Sequence, residues 1–460
     1  MYTKKNYREC PDKKKTTKDP LTGELVPVRF LLGDRKILHA QFEAEVTSCS
    51  YSTFCTYIPD QYIIPKPSDW GTCLCSTCLN PKLKLEEIAR CAKDNSLKYG
   101  YRNYDEIDEL AEAVENVKIP DREVITFVEW KKVAGEKSKK TAKKNKKPRS
   151  KFSKKVNDTL PFKHFKQRLL NELKLLKNHL FRVHMQYKAF KAAREEAISS
   201  ETTATIHIDW SENAKLRQAE EEKGAYYHDV QMSAQTIFVW TAEKEWSAAS
   251  ISGCTIHKAE AVAASITELL EELKANGITK LYVVSDSPTS QYRNKEMFYL
   301  IKQISEDLSM EIDWIYLESG HGKGIPDGIG AVLKTKIDYL ISVHPRSAVY
   351  TVDDLFRLGL RQEVPSIKLY RFDEEDVDTI SLRIPELERV PGTMKIHEVQ
   401  CSPNHSMQAR YLSHEEFFTI QLKSAPVKQK LKTSEVYSSF EESDDESIFL
   451  FLITFSCNGV

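Results

Sequence analysis

The chain has 460 residues, is 41% hydrophobic and 29% charged, and is long enough for about two to four domains of ~100–200 residues with a sizeable core. Its 67 Lys and Arg cancel 67 Asp and Glu, but that balance conceals a basic block and an acidic tail. No apolar run approaches the roughly 18–20 residues that span a bilayer, the start MYTKKNYRECPDKKK lacks the apolar core of a secretory signal, and ten unpatterned cysteines point to reduced thiols in a cytosolic or nuclear setting.

Residues 1–33 are polar and lysine-rich around a DPLTG turn, and read as a mobile basic arm. Residues 34–95 read as a helical, cysteine-containing module. Leu38, Phe42 and Val46 recur every four residues, which predicts a helix over Asp34 to Val46. After a break, Ser50 is placed to cap a second short helix, Tyr51 to Ile58, that Pro59 closes. Such a pair fits a DNA-reading helix-turn-helix or an ordinary packed hairpin; its second helix offers only Ser52, Thr53 and Thr56 to a base edge. In TCLCSTCL, the thiolates of Cys73, Cys75 and Cys78 are spaced closely enough to hold a structural Zn2+, but no second CxxC exists, so a zinc site and a cluster of buried thiols both stand.

Residues 96–160 form a charged region with a basic linker at 137–155, where eleven Lys or Arg and no acid must stay solvated. Within it Lys143, Lys144, Lys146, Lys147 and Arg149 suit nuclear import or salt-sensitive contact with nucleic-acid phosphates. Residues 161–200 read as a long amphipathic helix, in which Phe162, Phe165, Leu169, Leu173, Leu176, Leu180, Val183, Tyr187 and Phe190 keep 3–4 spacing. The seam can pack on its own chain or form a coiled-coil homodimer; basic flanks without matching acids favour the former.

From 203 to 345 the pattern alternates. Thr205 to Trp210, Val230 to Thr241 and Trp246 to Gly253 read as strands, Ala259 to Ala275 as an amphipathic helix, and Lys280 to Ser285 as a buried strand delivering Asp286. A helix over about Asn294 to Leu308, a strand over Glu311 to Leu317, a glycine-rich loop and a helix from about Pro326 to Ile341 follow. Three meander strands and then alternating helix and strand predict a mixed sheet with helices on its faces.

That order places Asp209 on the first strand, Asp286 just past the fourth and Asp327 at the head of the last helix. Carboxylates brought together repel unless a cation intervenes, and divalent ions held this way can drive in-line phosphoryl transfer. Each acid also has a plainer use: strand end for Asp209, turn cap for Asp286, and helix-dipole partner for Asp327. His321 and Lys323 sit in Gly320-His321-Gly322-Lys323-Gly324, whose glycines would let a phosphate approach the backbone, although a polar turn has the same composition and the spacing is not that of a Walker A loop. Gln291, Arg293 and Asn294 either contact a DNA backbone or start the following helix.

The segments IHIDWSENAKL, SDSPTSQYRN and ESGHGKGIPDGIGAVLK resemble the three catalytic blocks of DDE/D transposases with a ribonuclease H-like fold, and are especially similar to poorly characterised transposon-derived proteins of animals. Upstream, SYSTFCTYIP and GTCLCSTCLNPKLKL also resemble what precedes the catalytic domain there, so the likeness covers about residues 30 to 345. It implies an α/β chain: a ribonuclease H-like mixed five-stranded sheet flanked by helices at 203–345, after a helical N-terminal region. It implies metal-dependent DNA cleavage and strand transfer with Mg2+ or Mn2+, transposon-end and target DNA as partners, and a nuclear location. Asp209 and Asp286 would be the first two ligands and Asp327 the third, with Glu318 at the end of the fifth strand as the competitor for that place.

Residues 346–425 contain β-like stretches at Ser366 to Phe372 and Gly392 to Val399 and read as a small β-rich appendage; 426–460 read as an acidic tail. Besides the transposase, two alternatives fit: a domesticated, catalytically inactive DNA-binding descendant, and a metal-dependent nuclease on the same scaffold.

Overall fold

The computed structural model describes residues 7–9, 16–19, 22–31, 35, 38–39, 42–43, 48–59, 61–63, 75–97, 104–134, 151–222 and 230–423. Val46, Cys73, Lys143, Lys144, Lys146, Lys147, Arg149 and the acidic tail lie outside them, as does most of the helix expected over 34–46. Where a mobile arm was expected, the chain forms short paired strands. β1 (Tyr7–Glu9) pairs with β4 (Arg29–Leu31), and β2 (Thr16–Lys18) pairs with β3 (Leu25–Pro27). Helix α1 (Tyr51–Thr56) is capped by Ser50, whose Oγ accepts from the Thr53 N–H at 3.1 Å, as expected. Its Phe54 packs with Leu38 and Phe42, and β5 (Tyr62–Ile63) lies parallel to β4.

A second layer of structure begins with α2 (Ser76–Ala92) and α3 (Ile107–Glu115). β6 (Val124–Ala134) then pairs antiparallel with β7 (Lys151–Pro161) over their whole length. The last five residues of the expected linker, 151–155, therefore belong to a strand. Ile125 and Phe127 of β6 face the same core as Leu85 and Ile88 of α2 and the first half of α4 (Phe162–Ser199). The α4 seam is filled from the same chain: Phe165, Leu169, Leu173 and Leu176 sit in that core, while Phe190 and Ala193 pack on the main sheet. Most of its apolar face is thus spent internally, while Tyr187 of the expected seam is exposed.

The main sheet has nine strands. In chain order come β8 (Thr203–Lys215), β9 (Gln231–Trp240), β10 (Glu245–Ser252), α5 (Ala259–Ala275), β11 (Lys280–Ser285), α6 (Lys295–Leu308), β12 (Glu311–Tyr316), α7 (Ile325–Ser342), α8 (Val352–Arg357), α9 (Leu360–Glu363), β13 (Ile367–Arg371), α10 (Glu374–Arg383), β14 (Glu398–Cys401), β15 (Gln408–Arg410) and β16 (Phe418–Thr419). The spatial order is β13-β10-β9-β8-β11-β12-β14-β15-β16. At its centre β9 runs antiparallel to both of its neighbours, β10 and β8, and β11 and β12 run parallel to β8.

Two expectations change here. The sheet is nine-stranded rather than five-stranded, and the described part of the expected appendage over 346–425, residues 346–423, is not separate from it. β13 adds parallel to β10 at one side, and β14 adds antiparallel to β12 at the other. The stretch expected as β from Gly392 begins instead with a 3-10 turn, Thr393–Lys395. One face of the sheet is covered by α5, α6 and α10, the other by α4 and α7. Ala-rich α5 lies close to β10 and β13, and Gly277, at φ 87°, accepts the left-handed turn that ends it.

Candidate functional site

Because side chains alternate along a strand, Thr205, His207, Asp209 and Ser211 of β8 all point to the α4 and α7 face. Thr205 Oγ1 donates to the Ala193 carbonyl of α4 at 2.8 Å. His207 meets the Phe190 ring edge-on at 5.1 Å. Ser211 lies under Gly330 of α7, where a Cβ would come within 2.7 Å of its Oγ. Between these, half-buried Asp209 faces the carboxylates of Asp327 and Asp286.

β8 and β11 are adjacent and parallel, with Ile208 opposite Ser285, so the residues that follow, Asp209 and Asp286, emerge side by side. Asp327 arrives from the first turn of α7, where its Oδ2 accepts the N-cap Gly324 N–H at 2.8 Å. Burial pushes the Asp209 carboxyl up to about 7, with the negative charges of Asp327 and Asp286 adding to the effect. Burial also raises Asp286, against the backbone N–H groups of Ser287 and Gly320 that bond it. Asp286 Oδ1 is buried without a hydrogen-bond partner. A buried, orphaned carboxylate oxygen beside two further carboxylates is what a hard divalent cation would satisfy, so this donor set fits magnesium or manganese.

The loop from Gly320 to Gly324 packs against Asp286 and His207. A Cβ on Gly322 would fall 2.6 Å from Asp286 Cβ, and one on Gly324 would fall 2.6 Å from His207 Cε1. Glycine is needed at these positions for close approach. Burial pushes His207 down to about 4, so the imidazole against this loop is neutral near pH 7. Lys323 stays exposed and its charge is felt at Asp209.

The other expected site residues divide. Glu318, the competitor for third acid, is engaged elsewhere: Oε1 accepts from His179 Nδ1 at 2.9 Å and from Arg182 at 2.8 Å, and Oε2 contacts His397 Nε2 at 2.8 Å. Burial alone would raise its carboxyl, but these partners hold it far below the usual range. Arg293 is buried and donates to the Ile396 carbonyl at 3.2 Å, which removes it from any DNA surface. Asn294 caps α6, its Oδ1 accepting the Met297 N–H at 2.8 Å. Gln291 is half-buried in the turn before that cap.

Cysteine and histidine side chains form a second group. The donor atoms of Cys75, Cys78, His179 and His321 lie within 4.8 Å of one another. His321 thus belongs with the cysteines rather than with a phosphate-facing surface, and Cys75 and Cys78 lie beside two histidines; Cys73 is outside the described residues. Reading the α4 seam as aliphatic passed over His179, which lies three residues after Leu176 on the apolar stripe and so was placed to face inward.

Residues 186–413 match the model of a family described as a domain of unknown function (DUF8701). No curated protein and no solved structure matches the chain.

Proposed function

We propose that this chain is a DDE/D-type DNA transposase, an integrase-like polynucleotidyl transferase that cuts and joins DNA by metal-dependent phosphoryl transfer in the nucleus. The observation that carries the reading is the meeting of Asp209, Asp286 and Asp327, drawn from two adjacent parallel strands and a helix start, around a buried carboxylate oxygen that has no protein partner. A ribonuclease H-like assignment of the central domain is supported by the strand order β10-β9-β8-β11-β12 and its antiparallel-then-parallel directions.

Asp209, Asp286 and Asp327 would hold magnesium or manganese, which supplies activation of a water or 3′-hydroxyl and stabilisation of the leaving oxygen. The protein's own part is positional. β8 and β11 fix two carboxylates on a rigid sheet, while the Gly324 N–H holds the third at the head of α7. The glycine loop packs on Asp286 and His207, and exposed Lys323 is available to a scissile or flanking phosphate. Lys143, Lys144, Lys146, Lys147 and Arg149 would add sequence-independent phosphate contacts.

The test is a magnesium-dependent nicking and joining assay comparing the parent with Asp286→Asn. Activity in the parent and its abolition in the variant are expected, with duplex DNA preferred to an RNA–DNA hybrid. Equal inactivity of both on every substrate, with DNA binding retained, would replace the enzyme by an inactive DNA-binding descendant. A preference for the hybrid would point to a nuclease.

A further inference from the structure

We infer that Cys75, Cys78, His179 and His321 bind one zinc ion, and that this ion staples the glycine loop over the acid pocket to α2 and α4. Zinc binding rests on the geometry of these four side chains alone. The consequence for the acid pocket deepens the transposase reading and depends on it.

The four ligands come from three places far apart in sequence. Cys75 is the N-cap residue of α2 and Cys78 lies in its first turn. His179 is buried at mid-length in α4, and His321 sits in the loop between β12 and α7. Cys75 Sγ is 3.4 Å from His179 Nε2, Cys78 Sγ is 3.6 Å from His321 Nε2, and the two Nε2 atoms are 2.9 Å apart. With Zn–S near 2.3 Å and Zn–N near 2.0–2.1 Å, tetrahedral zinc has ligand–ligand edges of about 3.3–3.8 Å. Two of the four Cys–His separations are of that size, the His–His edge needs to open by a few tenths of an ångström, and the longest edges of a group that spans 4.8 Å need to close by about 1 Å. Two thiolates with two imidazoles are a donor set suited to zinc and ill-suited to magnesium or calcium. On binding, each thiol yields its proton to solvent.

The surroundings match a metal centre. His179 presents Nε2 to the group and directs Nδ1 at Glu318, as an imidazole ligand does when a carboxylate orients it. Glu318 is itself fixed by Arg182 and His397. The acid at the end of the fifth strand therefore acts as a positioning residue for a zinc ligand.

The link to the acid pocket is one residue long. His321 precedes Gly322, which packs directly on Asp286, and the loop continues through Lys323 to Gly324, whose N–H donates to Asp327. Holding His321 holds the segment that closes over Asp286 and leads to Asp327.

The experiment uses the full chain expressed with zinc and purified without chelator. Elemental analysis is expected to give one zinc per chain, and cobalt substitution to give the intense ligand-field absorption of a tetrahedral two-thiolate site. Cys78→Ser and His179→Ala should each lower zinc content at least ten-fold, whereas Cys91→Ser, at the other end of α2, should leave it unchanged. Limited trypsinolysis reports the staple: removing zinc should speed cleavage after Lys323 several-fold while circular dichroism stays native. A parent lacking zinc and a cobalt spectrum, or a Cys78→Ser variant with full zinc, overturns the site. Unchanged cleavage after Lys323 in zinc-free, folded protein overturns the staple. Neither result depends on DNA cleavage, so failure here is distinct from failure of the proposed activity.

Discussion

Gln186 and Ser413 hydrogen-bond each other twice across 227 residues of chain: Gln186 Nε2 donates to Ser413 Oγ at 3.0 Å, and its Oε1 accepts the Ser413 N–H at 3.0 Å. They are also the first and last residues of the span that matches the domain family. Fully buried, Gln186 further faces the carbonyls of Tyr316 and His397 at 3.2 and 3.1 Å, so one amide ties α4, the end of β12 and the strands after it into a closed unit. Gln186→Leu keeps the volume but strands several buried backbone groups, and should cost about 2–4 kcal/mol. Ser413→Ala, which removes only the hydroxyl, should cost about 1 kcal/mol or less. Urea midpoints at constant m value check both; equal midpoints would remove the tie.

Lys84 makes the corresponding closure upstream. Its ammonium is wholly buried and lies 2.9 Å from both Glu129 Oε2 of β6 and Glu172 Oε1 of α4. Arg168 completes the network with a 2.6 Å contact to Glu129. Removing one partner of a buried ionic group leaves charge uncompensated, so Lys84→Met should cost about 3–5 kcal/mol, and Glu129→Gln added to it should recover part of the loss. Burial works to raise the Glu129 carboxyl, but Lys131, Lys84 and Arg168 hold it below its ordinary value. Its contribution is thus present above the unfolded-state carboxylate range and fades as pH falls through the depressed folded value. Acid titration of the melting temperature of parent and Glu129→Gln measures that fading, which should be absent in the variant.

The strand and helix order of the central domain was legible because each element is long and periodic: α5 and β11 begin and end where the alternation and the Ala-rich stripe do. The sheet edges were not. Ile367–Arg371 falls within the stretch expected as β, whereas Glu398–Cys401 overlaps the stretch expected over Gly392 to Val399 only at its end; a run of four or five residues carries no mark of its partner, and β10 and β12 are distant in sequence. Burial of charge was equally hidden. Arg293 and Glu318 look like solvent-facing groups in a polar loop, and only tertiary packing supplies the Ile396 carbonyl for one and the two histidines for the other. The aspartate trio was legible because strand ends and a helix start each fix where a side chain must emerge.

Asp313 is expected to make the fold less stable as pH rises. It lies in β12 on the face covered by α4, with Oδ1 buried and unpartnered, near Glu398, Glu311, Tyr282 and Lys280. Burial, reinforced by Glu398 and Glu311, pushes its carboxyl up to about 7. Between about pH 4 and pH 7 the unfolded chain releases this proton while the folded chain keeps it, so folding loses stability across that window and levels off above it. Asp313→Asn removes the penalty. Relative to the parent it should be equally stable near pH 4 and more stable at pH 8, by on the order of 2–4 kcal/mol. Denaturation at the two pH values decides it; a variant less stable at pH 8 would show that the ionised carboxylate is accommodated.

Gly322 offers the sharpest probe of the pocket, because an added methyl would sit 2.6 Å from Asp286 Cβ, 2.9 Å from its Cγ and 3.2 Å from its Cα. Both side chain and backbone of Asp286 are in the way, so Gly322→Ala must displace the loop or the end of β11. Overpacking of this kind costs about 1–3 kcal/mol. A displacement of roughly 1 Å at a metal-binding carboxylate should lower magnesium-dependent nicking by about 10²-fold. Gly328, one turn into the same segment, supplies the control: nothing lies within 4 Å of its Cβ position and its φ is not left-handed. Gly328→Ala should therefore be neutral or stabilise α7 by about 0.5–1 kcal/mol, with nicking unchanged. Melting temperature and nicking rate measured on the two variants together separate local crowding from a general intolerance of alanine in the loop. A Gly322→Ala protein that melts and nicks like the parent would show that the loop does not press on Asp286 in solution.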